Sequence, residues 1–217
     1  MKLLSADFVT SAAAGGTAHG IPHDGLPQIV FAGRSNVGKS RLLNALCRRK
    51  IARTSAAPGK TRLVNIYRAW LEGGPGGPGR WSVYLVDLPG YGYARGGVDA
   101  AAELRATSEA YFATVARTTP AGTPDARGAS AVVGTLLLID SRHPGLESDV
   151  VAAGWLAQLG TPWHVVGTKI DKLSRAERAR NLRELERTFG TAALPVSAES
   201  GEGLDELWQM IANLVRR

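Results

Sequence analysis

A single eight-residue stretch, from Gly33 to Ser40, constrains this chain of 217 residues more than any other feature. It matches the pattern G-x-x-x-x-G-K-[S/T] at every fixed position. An apolar run, residues 28–32, precedes it, and leucines at helical spacing follow it. A strand, a glycine-bearing loop and a helix in that order direct backbone N–H groups at a phosphate, and Lys39 adds a positive charge. The pattern predicts a nucleotide-binding α/β domain.

Strand-like and helix-like segments alternate along the rest of the chain. Apolar or β-rich runs cover residues 64–71, 81–86, 132–139, 163–167 and 192–196, and helical patterns fall between or after them, at 100–117, at 151–159, from a capping box at 174–177 onward, and at 204–215. Such alternation is typical of a mainly parallel sheet covered on both faces. We expect a single-domain α/β fold with six strands, one of them antiparallel, and with helices on both faces.

Composition suggests where the domain begins. Residues 1–27 mix Ala, Gly, Pro and His with little periodicity, and we expect an N-terminal arm with a short strand near residues 7–9. Residues 28–217 then form the nucleotide-binding domain. Gly- and Pro-containing stretches at about 73–80 and 118–130 predict lengthened loops, the first joining two adjacent antiparallel strands.

Overall composition excludes several other classes of protein. Hydrophobic residues make up 44% of the chain and charged residues 21%, as in ordinary globular domains. The single cysteine, Cys47, rules out an intramolecular disulfide framework and a cysteine-based zinc cluster. No uninterrupted apolar run approaches the 18 residues of a membrane span. We expect a cytoplasmic monomer with no membrane span.

Positive charge is concentrated near the start of the chain. The net charge is +8 over residues 1–62 and −1 over residues 63–217. Between residues 41 and 62 seven basic residues occur with no acidic residue among them. A field of this kind attracts polyanions, which favours a nucleic-acid partner. A solvated helix face followed by a loop is the alternative.

A second anchor for phosphates follows the strand at 83–86. Asp87 at a strand end is placed to hold Mg²⁺ through water, and the N–H of Gly90 to sense a terminal phosphate. Ser40 supplies a hydroxyl ligand to the same ion. Taken alone, the D-x-x-G pattern is also compatible with a simple turn.

A third motif, Thr168 to Asp171, predicts the choice of base. The carboxylate of Asp171 can accept hydrogen bonds from N1–H and N2–H₂ of guanine, a pair of donors that adenine lacks. The stem of Lys169 can lie over the base, and a backbone N–H near Ser197 and Ala198 can meet the guanine carbonyl. A helix cap is the alternative for this motif alone. The motifs follow one another at strand ends, and ligands of open α/β sheets bind at that edge.

These segments resemble the EngB family of bacterial ribosome-biogenesis GTPases, within the TrmE-Era-EngA-EngB-Septin-like superfamily. The resemblance covers about residues 5–215. The residues that carry it are 31–40, 52–55, 58–62, 86–94 and 140–144, and the most specific strings are Asp87-Leu88-Pro89-Gly90-Tyr91-Gly92-Tyr93-Ala94 and Asp140-Ser141-Arg142-His143-Pro144. It implies a Ras-like P-loop GTPase that assists assembly of the large ribosomal subunit, binds its precursor or rRNA, and is needed for cell division and septation.

The resemblance also implies a set of site residues. Thr61 is the threonine that binds Mg²⁺ with GTP present, although chemistry alone leaves Thr54 open. Mg²⁺ ligands are then Ser40 and Thr61, with Asp87 acting through water, and the residues assigned to catalysis are Lys39, Thr61 and Gly90. The implied nucleotide-binding residues are Gly33, Arg34, Ser35, Asn36, Val37, Gly38, Lys39, Ser40, Gly59, Lys60, Thr61, Arg62, Leu63, Asp87, Leu88, Pro89, Gly90, Thr168, Lys169, Ile170, Asp171, Val196, Ser197 and Ala198.

One residue expected of many small GTPases is missing. Tyr91 follows the D-x-x-G glycine, where many of them place a glutamine that orients the attacking water. We therefore expect slow intrinsic hydrolysis of GTP to GDP and phosphate, accelerated by a partner or a cation. In related GTPases an asparagine at the position of Asn36 helps to bind K⁺; a simple role in capping the loop is the alternative.

Two other functions are compatible with these residues. A nucleotide-dependent binding module with negligible hydrolysis is one, and Tyr91 is its best support. An ATP-using P-loop enzyme such as a small-molecule kinase is the other, and Asp171 argues against it.

Overall fold

The computed structural model describes residues 1–12, 20–52, 63–74, 77–91, 98–118 and 131–216. Within these ranges seven strands form one sheet, which five α-helices flank. The strands are β1 (Lys2–Ala12), β2 (Gln28–Gly33), β3 (Val64–Glu72), β4 (Arg80–Asp87), β5 (Val132–Asp140), β6 (Trp163–Thr168) and β7 (Leu194–Pro195). The helices are α1 (Lys39–Leu46), α2 (Val98–Thr118), α3 (Glu147–Gln158), α4 (Arg175–Phe189) and α5 (Leu204–Val215), and a short 3-10 helix spans Ile170–Lys172.

The strand order across the sheet is β1-β3-β4-β2-β5-β6-β7. Only β3 runs against the others, being antiparallel to both β1 and β4, and every other neighbouring pair is parallel. The predicted α/β fold with one antiparallel strand is confirmed. The sheet has one strand more than predicted, because β1 pairs along the whole outer edge of β3, from Lys2 opposite Glu72 to Ala12 opposite Val64.

Helices cover both faces of the sheet, as predicted, and each face has its own core. The central strand β2 shows why, since all of its residues are buried and their side chains alternate between the two faces. Ile29 and Phe31 pack in the core shared with α1 and α5. Val30 and Ala32 pack in the core shared with α2, α3 and α4.

The stretch between β3 and β4 is the first of the two predicted loops. It closes a hairpin of adjacent antiparallel strands, as expected, with the Gly73 N–H donating to Gly79 O at 2.9 Å. The Trp81 indole N–H donates to Gly73 O and holds the base of the loop. Nearly all of the second predicted loop, residues 119–130, lies outside the described part of the chain.

The parallel strands determine where the predicted motifs meet. Strands β2, β4, β5, β6 and β7 run in one direction, so their carboxyl ends share one edge of the sheet. We call this the carboxyl edge; it carries Gly33, Asp87, Asp140, Thr168 and Pro195, in chain order. None of the helices in the described ranges is both long and apolar enough to cross a bilayer.

Candidate functional site

The loop from Gly33 to Ser40 joins the end of β2 to α1 at the carboxyl edge; we call it the phosphate loop. Gly38 caps α1 with φ at 109°, a left-handed conformation that residues with a Cβ rarely adopt. Lys39 and Ser40 are the first residues of the helix. The first N–H groups of a helix have no partner within it, so this terminus is suited to bind phosphate.

The ammonium group of Lys39 lies inside the phosphate loop. It donates to the carbonyl oxygens of Gly33 at 2.9 Å and Arg34 at 3.2 Å, and the residue is 8% exposed. Burial lowers the pKa of Lys39, an effect that the nearby charge of Asp87 partly offsets. Charged phosphate oxygens would stabilise the buried ammonium better than neutral carbonyl oxygens do. The geometry suits Lys39 to bind the terminal phosphates of a nucleotide.

A hydroxyl and a carboxylate lie beside Lys39. Ser40 Oγ donates to Asp87 Oδ2 at 3.0 Å, which joins α1 to the end of β4. Asp87 is 1% exposed, and its Oδ1 has no hydrogen-bond partner in the described residues. Burial raises the pKa of Asp87, against the lowering effects of Lys39 and Ser40. A hydroxyl and a carboxylate oxygen without a partner fit Mg²⁺, which binds few protein oxygens and keeps several waters.

The end of β6 and the residue after it bind two carbonyl groups of the phosphate loop. Thr168 Oγ1 donates to Val37 O at 3.0 Å, and Lys169 Nζ donates to Asn36 O at 2.6 Å. Ile170, which follows them, is buried. The structure thus brings the segment predicted to bind the base into direct contact with the segment predicted to bind phosphate.

Asp171 lies at the outer end of this segment. Its Oδ1 accepts from Ser197 Oγ at 2.7 Å, and Lys172 Nζ lies 3.1 Å from Oδ2. Burial by itself would raise the pKa of Asp171, but the hydrogen bonds from Ser197 and Lys172 hold it below its usual value. The carboxylate is therefore ionised at neutral pH and can accept hydrogen bonds from guanine. Val196 and Ser197 are buried and Ala198 is half-buried beside it.

The residues after β4 lie directly on the phosphate loop. Ser35 donates its hydroxyl to Gly90 O at 3.0 Å and its N–H to Tyr91 O at 2.8 Å. Leu88 and Pro89 are buried, and the Leu88 N–H donates to Phe31 O at 3.1 Å. The D-x-x-G segment is therefore held against the loop by one main-chain and one side-chain hydrogen bond from Ser35.

Sequence reasoning missed one residue of this region, Asp149 of α3. Its carboxylate is fully buried; Oδ1 accepts from the Tyr91 hydroxyl at 2.9 Å and lies 3.3 Å from Arg34 Nε. Burial raises the pKa of Asp149, although the hydrogen bond from Tyr91 and the charge of Arg34 oppose this. In the sequence Asp149 is one of two acidic residues, with Glu147, just before an apolar run, and nothing in that pattern marks it as part of the site.

Part of the predicted site lies outside the described residues. This part comprises Gly59, Lys60, Thr61 and Arg62, together with the competing Thr54. Leu63, next in sequence, is 40% exposed just before β3. Asn36 is exposed, with φ at 62°.

Comparison with known proteins agrees with this arrangement. Residues 28–151 match the family model described as 50S ribosome-binding GTPase. The probable GTP-binding protein EngB of Chlorobaculum tepidum is 41% identical over 210 residues, which are 95% of each chain. The protein of the same name from Solibacter usitatus is 38% identical over 217 residues, covering 100% of this chain and 99% of its own.

Solved structures share the fold. A crystal structure of a probable GTP-binding protein engB superposes with a TM-score of 0.61 at 22% identity, covering 87% of this chain and 98% of that one. Aquifex aeolicus Era bound to GDP and AlF₄⁻ superposes with a TM-score of 0.65 at 22% identity, covering 86% of this chain and 56% of that one. The family model and the full-length relatives together establish that this chain belongs to the EngB family of GTP-binding proteins and is a GTPase.

Proposed function

We propose that the chain is a slow, Mg²⁺-dependent GTPase, active at the carboxyl edge, that assists assembly of the large ribosomal subunit. The observation that carries the guanine site is the pair of hydrogen bonds from Thr168 and Lys169 to the phosphate loop. They join the segment that carries Asp171 to the loop that carries Lys39, which supports a single nucleotide bound by both residues. Residues 28–217 form the GTPase domain in this proposal, and residues 1–27 extend it through β1.

The phosphate end of the site lowers the barrier to hydrolysis mainly by electrostatics. Lys39 and the N–H groups of the phosphate loop bind the β- and γ-phosphate oxygens and stabilise the charge that develops there. Gly90 presents its N–H to the γ-phosphate. Ser40 and Thr61 would hold Mg²⁺ directly and Asp87 through water, and the ion would neutralise further charge on the phosphates.

At the other end of the site, protein groups recognise the base. Asp171 accepts the N1–H and N2–H₂ hydrogen bonds, and the backbone of Val196 to Ala198 approaches the guanine carbonyl. The stem of Lys169 covers one face of the ring. An adenine in this position leaves the carboxylate without its partners, which costs about 1–3 kcal/mol or more.

Slow intrinsic turnover is supported by the position of Tyr91. Its hydroxyl is directed at the buried carboxylate of Asp149. Burial raises the pKa of Tyr91, and the charge of Asp149 raises it further, so the hydroxyl stays protonated at neutral pH. Held in this way, Tyr91 does not present a polar group to a water in line with the γ-phosphate. Activation by a partner or a cation is therefore part of the proposal.

A potassium ion is the cation that we favour. Asn36 is exposed on the phosphate loop, and its backbone has a left-handed conformation. Single-turnover hydrolysis measured in KCl should be faster than in NaCl at equal ionic strength. Equal rates would exclude this role and leave Asn36 as a residue that shapes the loop.

The ribosomal role is supported by the family and by charge. The matching family model is described as a 50S ribosome-binding GTPase, and the net charge of +8 over residues 1–62 suits rRNA. Arg48 and Lys50 are exposed at the end of α1. We propose that this surface contacts the precursor of the large subunit, that the protein acts as a cytoplasmic monomer, and that cell division and septation depend on it.

Substitution of Asp171 by Asn tests the guanine site. Wild-type protein should bind fluorescent GDP, and GDP and GTP should compete far better than xanthosine or adenosine diphosphates. In Asp171→Asn, preference should shift toward the xanthine nucleotide, because an amide can donate to the xanthine oxygen. Asp205→Asn, an exposed change in α5, is the matched control and should behave as wild type. If Asp171→Asn kept its selectivity for guanine, the motif from Thr168 to Asp171 would serve only as a helix cap.

A charge reversal tests the ribosomal surface. Arg48→Glu with Lys50→Glu should weaken binding to large-subunit precursors and reduce its salt dependence, because phosphate contacts release counterions. Arg183→Glu with Arg187→Glu changes the net charge equally on α4 and should have little effect. Turnover measured with and without ribosomal subunits separates a stimulated GTPase from a binding module with negligible hydrolysis.

A further inference from the structure

The turn that follows β5 has a specific sequence, from Asp140 to Pro144, that the proposed chemistry does not use. Asp140 is the last residue of β5 and lies at the carboxyl edge. The His143 N–H donates to Asp140 O at 2.9 Å, so the chain reverses tightly and returns the Arg142 side chain toward the strand end. The geometry of this turn places a guanidinium group next to the Asp140 carboxylate.

Asp140 is held from two sides. Arg142 donates from Nε to Oδ1 at 2.9 Å and from Nη2 to Oδ2 at 2.7 Å, and its backbone N–H donates to Oδ1 at 3.1 Å. Lys169 Nζ donates to Oδ2 at 2.9 Å. The Asp140 side chain is 5% exposed, so this two-point contact is protected from solvent on the carboxylate side. A single carboxylate thus connects Arg142 with Lys169.

The ammonium of Lys169 is also held by the phosphate loop. It is shared between Asn36 O at 2.6 Å and Asp140 Oδ2 at 2.9 Å. Asn36 and Lys169 have φ angles of 62° and 61°, in the left-handed region that non-glycine residues rarely adopt. Two uncommon backbone conformations are therefore maintained at the two residues that this hydrogen bond joins.

We infer that Arg142 is a positioning residue for purine binding: acting through Asp140, it fixes the Lys169 ammonium against the phosphate loop and so fixes the stem that covers the base. The inference rests on the proposed guanine site. Without the fork of Arg142, Asp140 can rotate and draw Lys169 away from Asn36 O. A lysine at position 142 supplies a charge but only one point of contact.

The inference separates affinity from base choice. Lys169 covers the ring without reading its edge, whereas Asp171 reads the edge. Loss of Arg142 should therefore weaken the binding of GDP and of a non-hydrolysable GTP analogue by the same factor. Preference for guanine over xanthine should stay as in the wild type, in contrast to Asp171→Asn. Arg142 also lies in the electrostatic field of Asp171, so a direct effect on base choice is the competing outcome.

A double-mutant cycle tests this with fluorescent GDP and the GTP analogue. Arg142→Ala should raise both dissociation constants about fivefold, a coupling of ordinary size for neighbouring charged groups. Arg142→Lys should recover only part of the loss. In a Lys169→Ala background, Arg142→Ala should add less than about twofold, because its effect passes through Lys169. Arg187→Ala removes a similar two-point contact, to Glu184 on the surface of α4, and should leave binding unchanged.

Several results would overturn the inference. Additive losses in the cycle, an unchanged GDP dissociation constant in Arg142→Ala, or full recovery by Arg142→Lys would each do so. If Arg142→Ala shifted the base preference toward xanthine, Arg142 would act on Asp171 rather than on Lys169. The proposed guanine site fails separately, when Asp171→Asn keeps wild-type selectivity, so the two failures can be told apart.

Discussion

The hydroxyl of Tyr91 donates a hydrogen bond of 2.9 Å to Oδ1 of Asp149, a carboxylate with no solvent exposure. Tyr91 follows the D-x-x-G glycine, Asp149 belongs to α3, and Arg34 of the phosphate loop lies 3.3 Å from the same oxygen. The other oxygen of Asp149 has no hydrogen-bond partner among the described residues. Buried charges are stable when fully paired, so this incompletely paired group is suited to rearrange.

The first prediction concerns Tyr91→Phe. The Tyr91 hydroxyl anchors the segment after β4 to Asp149, while Gly90 O and Tyr91 O accept hydrogen bonds from Ser35. We expect this segment to rearrange when its Gly90 N–H turns to a γ-phosphate, so GTP binding works against the Tyr91 contact and GDP binding does not. Losing one hydrogen bond to a carboxylate should strengthen binding of a GTP analogue about three- to tenfold and leave GDP binding unchanged. Titration with fluorescent nucleotides measures both constants.

The control for this change is Tyr84→Phe. Tyr84 also donates its hydroxyl to a carboxylate, that of Asp24 at 2.8 Å, but does so away from the phosphate loop. Removal of the Tyr84 hydroxyl should not alter the ratio of the dissociation constants for the GTP analogue and GDP. Weaker binding of the GTP analogue by Tyr91→Phe would show instead that the hydrogen bond belongs to the GTP-bound state.

The second prediction concerns Gly90→Ala. A Cβ at Gly90 would lie 2.8 Å from the backbone N and Cα of Ser35 and 2.9 Å from Lys39 Nζ. The segment must then move off the phosphate loop, which would misplace the Gly90 N–H that we propose faces the γ-phosphate. GTP hydrolysis should fall about ten- to a hundredfold, while GDP binding changes little. Phosphate release in single-turnover experiments measures the effect.

Gly154→Ala in α3 is the matched control. A Cβ there meets no atom within 4 Å, so hydrolysis should be unaffected and the helix slightly stabilised. If Gly90→Ala hydrolysed GTP at the wild-type rate, the close approach to Ser35 would have no part in catalysis.

The third prediction concerns removal of the metal. Chelation of Mg²⁺ by EDTA should accelerate GDP release from the wild type about tenfold or more, because Ser40 would hold the ion and the ion would neutralise charge on the phosphates. Ser40→Ala should release GDP quickly at the outset and respond little to EDTA. Stopped-flow displacement of fluorescent GDP gives the rates, with Ser5→Ala in β1 as control. If GDP release from Ser40→Ala still accelerated fully with EDTA, Ser40 would not be a ligand of the metal.

The fourth prediction concerns stability in acid. Burial by itself would raise the pKa of Asp140, but the hydrogen bonds from Arg142 and Lys169 lower it to about 2, below the ordinary value of 3.8. A carboxylate whose pKa is lower in the folded state stabilises the fold above about pH 4, and this contribution is lost as pH falls from 3.8 toward 2.

The free energy of unfolding should therefore depend on pH differently in Asp140→Asn. The difference in the free energy of unfolding between wild type and Asp140→Asn should decrease by about 1 kcal/mol between pH 6 and pH 3. Urea unfolding at several pH values measures it, and Asp205→Asn should follow the wild-type curve. Parallel curves for wild type and Asp140→Asn would mean that the carboxylate is not paired as the structure shows.

Local sequence patterns predicted the elements that carry the site. The capping box from Ser174 to Glu177 is present at the start of α4, where both reciprocal hydrogen bonds form. Tyr111, Phe112 and Val115, apolar residues of the helix predicted at 100–117, are buried in α2. Hydrophobicity is a weaker guide to burial in α3, where Val151 is 60% exposed whereas the small residues Ala152 and Ala153 are buried.

By itself, the sequence determined the phosphate loop between a strand and a helix, the alternation that gives a parallel sheet, and the meeting of the motifs at one edge. These follow from short-range steric and hydrogen-bonding preferences, which a few neighbouring residues express. Only the tertiary structure decided that β1 completes the sheet, that Asp140 joins Arg142 to Lys169, and that Asp149 accepts a hydrogen bond from the Tyr91 hydroxyl. The last two contacts link residues 29 and 58 positions apart, and such pairing depends on how strands and helices pack rather than on any local pattern.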